Sequence, residues 1–196
     1  MTTRIKPCAD ADFDAIGRVV NAAAVAYAGV IPADRYHVPY MPPRELHGEI
    51  DAGVRFWGWY DDSAAERQPG GLADDTSTRP PGRERLLGVM GIQDVADVTL
   101  IRHAYVLPGD QGSGIGRQLL AQLVDLATRP LLVGTWADAI WAVRFYERNG
   151  FTPVSTAEKS RLLQRYWSIS SRQVETSVVL RHPQKAHEVD SGAGGG

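Results

Sequence analysis

The densest chemistry in the chain lies in residues 104–127, A-Y-V-L-P-G-D-Q-G-S-G-I-G-R-Q-L-L-A-Q-L-V-D-L-A. An apolar strand pattern runs into a glycine-rich turn, which opens directly into an amphipathic helix. Gln111, Gly112, Ser113, Gly114, Ile115, Gly116 and Arg117 bring successive backbone N–H groups to one helix N-terminus. The first four N–H groups of a helix have no intrahelical partner, and the helix dipole adds partial positive charge there. Glycines remove the Cβ atoms that would hold an anion at a distance. The expected chemistry is a cradle for a pyrophosphate. The plain alternative is a strand-to-helix turn that contains several glycines.

Two familiar nucleotide cradles fit this turn badly. A Walker loop needs a lysine after its last glycine, and here Arg117 follows Gly116 with no serine or threonine behind it. A dinucleotide fold needs G-x-G-x-x-G near the first strand with an acidic residue about twenty positions on. The present run is G-x-G-x-G and lies far along the chain.

Gln111-x-x-Gly114-x-Gly116 does resemble the Gln/Arg-x-x-Gly-x-Gly/Ala signature of the GCN5-related N-acetyltransferases (GNAT). A second stretch extends the likeness. After the apolar segment Leu131–Trp136 come Ala142, Phe145, Tyr146, Glu147, Gly150 and Phe151, spaced as in that family's Ala-x-x-Phe/Leu-Tyr-Glu-x-x-Gly-Phe helix. The two motifs together cover roughly residues 85–155. One departure stands out: Ala139 occupies a place where the family often carries a coenzyme-binding asparagine.

The resemblance implies a fold and a set of roles. The fold is α/β, with a mixed and mostly antiparallel sheet splayed between strands four and five and helices on both faces. The function implied is acetyl-CoA-dependent transfer of an acetyl group to the primary amine of a small molecule, by direct attack. The turn 111–117 would hold the pyrophosphate. Val106 and Leu107 would bond the pantetheine arm as an extra strand, with the N–H near Val106 facing the oxyanion. Tyr146 would be the general acid for the departing thiolate; the alternative is a ring that packs in the core. A non-catalytic acyl-CoA-binding module and a protein N-acetyltransferase are the competing functions.

The base is less legible. Where relatives place a glutamate, strand four reads V-T-L-I-R-H-A-Y-V. His103 is the residue there that titrates near neutral pH, with a structural histidine or a water chain as alternatives. Asp94, Asp97 and Glu175 are more distant candidates. Strand parity puts His103 and Tyr105 on one face unless a bulge intervenes. For the acceptor pocket, Tyr36, His37, Tyr40, Arg44, Tyr166 and Trp167 offer aromatic walls with polar handles. Tyr166 and Trp167 could instead pack at a homodimer interface or on the last strand.

These residues need a scaffold, and 196 residues with 43% apolar content suffice for one domain. A domain over 1–181 is expected, with 182–196 as a disordered tail. Residues 61–85 hold one large apolar side chain, Leu72, among Gly, Pro, Asp and Ser, and read as a flexible hairpin insertion. A formal charge of −2 gives no reason to expect nucleic acid. No run of apolar residues is long enough to span a membrane. One cysteine and an N-terminus without a secretory pattern point to the cytoplasm. The five histidines lack metal-ligand spacing.

Apolar periodicity places strands near Thr3–Cys8, Val54–Tyr60, Leu86–Val95, Val98–Leu107, Leu131–Trp136 and Gln173–Leu180. Helices are expected from about Asp10, over Arg44–Ala52, after the glycine turn, and over 137–151, with one further short strand before the last.

Overall fold

The computed structural model describes residues 4–61 and 84–183. One seven-stranded sheet runs in the order β1-β2-β3-β4-β5-β7-β6. Its strands are β1 (Ile5–Pro7), β2 (Arg55–Asp61), β3 (Arg85–Val95), β4 (Val98–Val106), β5 (Leu131–Trp136), β6 (Thr152–Pro153) and β7 (Ser177–Arg181). Every neighbour pair is antiparallel except β4–β5. A parallel pair needs a crossover, and α3 (Ile115–Leu126) supplies it. Inside the sheet, between β2 and β4, β3 is buried continuously from Leu86 to Gln93 because helices cover both of its faces.

On one face lie α1 (Phe13–Ala24) and α2 (Pro43–Asp51). Ile16, Val19, Val20 and Leu46 pack there against Phe56, Tyr60 and Val89. Further along the same face, α5 (Thr156–Tyr166) sets Leu162, Leu163 and Tyr166 on Leu100, Leu132 and Val179. The opposite face carries α3 and α4 (Ile140–Arg148), whose Leu119, Leu120, Leu123 and Tyr146 join Met90, Ile101 and Val133.

The predicted element order changes at the C-terminal end. Two helices, α5 and α6 (Ser171–Thr176), stand where no helix was expected. The last strand therefore begins at Ser177, and Gln173 to Thr176 are helical. Each helix starts on a serine side chain. Ser155 accepts from the Glu158 N–H at 3.3 Å, and Ser170 with Gln173 forms a reciprocal capping box.

The predicted insertion 61–85 and tail 182–196 fall almost wholly outside the described residues. The β2–β3 ladder continues to Asp61 opposite Arg85, so it is paired up to the start of the insertion. Among the described residues, no helix is long and apolar enough to cross a membrane, and no cluster of His, Cys, Asp and Glu is placed to hold a metal ion.

Candidate active site

The opening in the sheet is set by register. Strands β4 and β5 pair only at Thr99–Leu131, Leu100–Leu132 and Ile101–Val133. Beyond Ile101 the ladder stops while both strands continue, and a cleft of about 1440 Å³ opens between them. His103, Tyr105 and Val106 line it from β4, Gly134 to Trp136 from β5, and Tyr146 from α4.

Along the β4 wall, the Leu107 N–H donates to the Leu87 carbonyl at 2.9 Å, and the Leu107 carbonyl accepts from the Asp110 N–H at 2.9 Å. Antiparallel bonding alternates, so the N–H and carbonyl of Val106, one residue back, turn away from β3 towards the cleft. The Gln111 side-chain amide donates to that carbonyl at 3.1 Å. Both backbone groups of Leu107, expected to face a ligand, are instead bonded within the protein, and of the two residues it is the Val106 N–H that faces the cleft.

At the floor, Gly112 and Gly114 adopt φ of 79° and 87°, the left-handed region that side chains disfavour. Gly114 is the N-cap of α3, and no side chain caps the helix. The Ser113 hydroxyl donates instead to the Asp110 carbonyl at 2.5 Å. The first intrahelical bond is made by the Gln118 N–H to Gly114, so the N–H groups of Ile115, Gly116 and Arg117 precede the ladder. Gly88 lets this end of the helix settle on β3, since a Cβ there would come within 2.7 Å of Ile115. The result is an uncapped helix N-terminus with partial positive charge, open to the cleft, and it fits a phosphate or pyrophosphate. Of the predicted cradle residues, Gln111, Gly112, Gly114, Ile115, Gly116 and Arg117 line the cleft, and Ser113 is turned aside.

Tyr146 is 5% exposed and forms edge contacts with Phe145 and Phe151, their ring centroids 5.1 and 5.5 Å away. Burial, and then the nearby Tyr27 phenol, push its pKa above that of free tyrosine. It therefore carries its proton at neutral pH.

His103 sits at a bulge. Gly91 pairs with Arg102 and Val89 with Tyr105, so His103 and Ala104 together oppose Met90. The backbone of His103 takes φ of 49°. Its ring stacks on Phe56, and its Nε2 lies 2.9 Å from a Glu49 carboxylate oxygen. That same oxygen accepts from Arg102 at 2.7 Å. Burial raises the Glu49 pKa, but His103 and Arg102 outweigh this and hold it below the ordinary glutamate value.

Glu49 was not a candidate in the sequence. The carboxylates that were have other positions: Asp94 accepts from Thr99, and Asp97 from Tyr166 and Arg165. Glu175 is on α6 rather than on a strand, and none of the three lines the cleft.

The rest of the wall is aromatic. Tyr40 stacks with Tyr27 at 5.9 Å and with His37 at 6.2 Å, and Tyr27 leans on Trp141 at 5.5 Å. The Tyr27 hydroxyl reaches Thr135 across the gap, and burial lifts its pKa to about 12. His37, Tyr40 and Trp167 line the cleft. Tyr36 tilts against Tyr40 from behind. Arg44 and Tyr166 do not reach the cleft; Tyr166 is buried under α5, with its hydroxyl on Asp97 at 2.8 Å. Ala139 is fully buried at the N-cap of α4 and also lies off the cleft wall.

Known proteins share this fold. Residues 73–153 match the family model described as an acetyltransferase (GNAT) domain. No curated protein matches the chain. Among solved structures it resembles the PaiA N-acetyltransferase of Thermoplasma acidophilum, crystallised with coenzyme A. The TM-score is 0.64 at 14% identity, over 94% of this chain and all of that one. An acetyltransferase of the GNAT family from Staphylococcus aureus gives 0.61 at 12% identity, covering 91% of this chain and 98% of that one. The yncA protein of Salmonella typhimurium, solved with acetyl-CoA, gives 0.55 at 18%, covering 94% and 95%. These three likenesses are of fold. The paired motifs, the sheet parted after Ile101 and the matching family model converge: residues 73–153 match an acetyltransferase (GNAT) domain, and the chain has the fold seen in solved acetyltransferases of that family.

Proposed function

We propose that the protein transfers an acetyl group from acetyl-CoA directly to the primary amine of a small molecule. The observation that carries this reading is the uncapped N-terminus of α3, with Gly112 and Gly114 left-handed, opening on the cleft that also holds Tyr146 and His103. When bound there, acetyl-CoA supplies a thioester whose carbonyl carbon is open to attack.

The residues divide the remaining work. The N–H groups at 115–117 and the Arg117 side chain hold the pyrophosphate, and Gly112 and Gly114 let it approach. The Val106 N–H takes the pantetheine arm or the developing oxyanion. As the amine nitrogen bonds to the carbonyl carbon, the carbon–sulfur bond breaks. The amine proton passes to His103, and Tyr146 gives its proton to the sulfur, to be replaced from solvent. Products are the N-acetyl amine and the free thiol. Direct attack needs no protein nucleophile. Cys8, with its pKa raised to about 11 chiefly by burial, is a poor one.

The aromatic wall of Tyr27, Tyr40, Tyr105 and Trp141 favours a compact acceptor over an extended peptide. A single free cysteine suits work in the cytoplasm. The test is thiol release from acetyl-CoA across a panel of amines, paired with calorimetry of coenzyme binding. Release that depends on one class of small amine supports the reading. Coenzyme binding with no release across the panel would favour the non-catalytic alternative.

A further inference from the structure

Glu49 makes contacts that a surface glutamate would not. It projects from α2 into the cleft wall, with its side chain 21% exposed beside His103 at 15% and Arg102 at 22%. One oxygen, Oε2, serves both neighbours, at 2.7 Å to Arg102 and 2.9 Å to His103 Nε2. The two approaches differ in kind. Arg102 makes an aligned hydrogen bond, whereas Nε2 is buried and has none, because the carboxylate lies off the line of its N–H. His103 is thus close to a carboxylate that it does not yet grip.

A chain of bonds holds that carboxylate in place. Arg102 also donates to Gln93 at 2.7 Å, and Gln93 donates to the Ala52 carbonyl at the end of α2 at 2.8 Å. The end of α2 is thereby tied to the bulged part of β4. The same bulge keeps His103 in a left-handed conformation that costs a non-glycine residue on the order of 1 kcal/mol or more. Without it, Arg102 and His103 would alternate to opposite faces. With it, both meet Glu49.

We propose that Glu49 is a positioning residue for His103, its carboxylate orienting the imidazole and stabilising the imidazolium formed when the acceptor's proton arrives. This rests on the reading of His103 as the base. Other titratable groups on the same cleft wall are Glu45 on α2, Arg102 and Tyr105 on β4, and Tyr40. Arg102 opposes Glu49 in its effect on the ring charge, so the pair sets a balance that either substitution should tip in a known direction.

The test needs no acceptor. Diethyl pyrocarbonate modifies neutral imidazole, and mass spectrometry of the His103 peptide reads that site apart from the other histidines. In Glu49→Gln, which keeps shape and an acceptor oxygen for Arg102, modification at pH 6 should be roughly fivefold faster than in wild type and unchanged at pH 8.5. Arg102→Gln should slow it at pH 6. Glu49→Asp, which keeps the charge, should follow the wild type. Equal rates in wild type and Glu49→Gln at pH 6 would overturn the proposal. So would acceleration at both pH values, which would mean a loosened wall rather than an altered charge. The base reading is tested separately by the turnover of His103→Ala, so Glu49 can fail while His103 stands.

Discussion

Ile101 and Val133 form the last rung between β4 and β5, and Arg102, the next residue, begins a bulge that pairs with β3 alone. The ladder therefore ends where the irregularity in β4 starts. A regular β4 would have presented Arg102 and His103 to opposite faces. The extra residue turns both towards Glu49 on α2, and His103 still lines the cleft beside Tyr105 and Val106.

The coenzyme site should be lost in Gly114→Asp. Gly114 has φ of 87°, where a Cβ is strained, and an added carboxylate would meet the positive end of the α3 dipole. Calorimetry should detect no binding of acetyl-CoA, while the melting temperature falls by only a few degrees. Gly116→Asp should behave likewise, with its Cβ 3.5 Å from the Phe145 ring. Unchanged affinity in both would move the site elsewhere.

Tyr146→Phe should slow single-turnover acetyl transfer by roughly a hundredfold, the contribution typical of a general acid, with coenzyme affinity nearly unchanged. The ring contacts with Phe145 and Phe151 survive the substitution, so a purely packing role predicts rates within about twofold of wild type.

Ala96 lies in the β3–β4 turn with φ of 49°, far from the cleft wall. Its carbonyl accepts from Arg129 at 2.9 Å, a bond that glycine keeps. Ala96→Gly should therefore stabilise the fold by about 1 kcal/mol and raise the melting temperature by roughly 2–4 °C. Calorimetric melting checks this, and acetyl transfer should stay at the wild-type rate.

Replacing residues 62–84 with Asn-Gly should leave the melting temperature within a few degrees. Asp61 already faces Arg85 in the ladder, and that dipeptide favours the tight turn needed to join them. A large drop would show that the removed segment packs on the core. Lost transfer with intact melting would make it part of the acceptor site.

Local patterns made the glycine turn and the buried strand β3 legible. The glycines of the β4–α3 turn declare themselves by type, and β3 by its unbroken apolar run. The helix α5 was hidden because Lys159, Arg161, Gln164 and Arg165 dilute its apolar stripe to Leu162, Leu163 and Tyr166. Its signal was nonetheless present as Ser155 followed three residues later by Glu158. Glu49 had no such signal. Whether a carboxylate on α2 reaches His103 depends on how that helix crosses β4 and on the bulge at His103 itself, and the residues around Glu49 give no sign of either.

Among the described residues, β4 and β5 pair over only three rungs, from Thr99–Leu131 to Ile101–Val133. The β3–β4 ladder, by contrast, extends from Val95–Val98 to Gly88–Val106. Cooperative opening follows the line of fewest bonds, so heat or load should part the protein first along the cleft between β4 and β5. A donor bound along Val106, as proposed above, would fasten that line from within, making the loaded protein a stiffer body than the unloaded one.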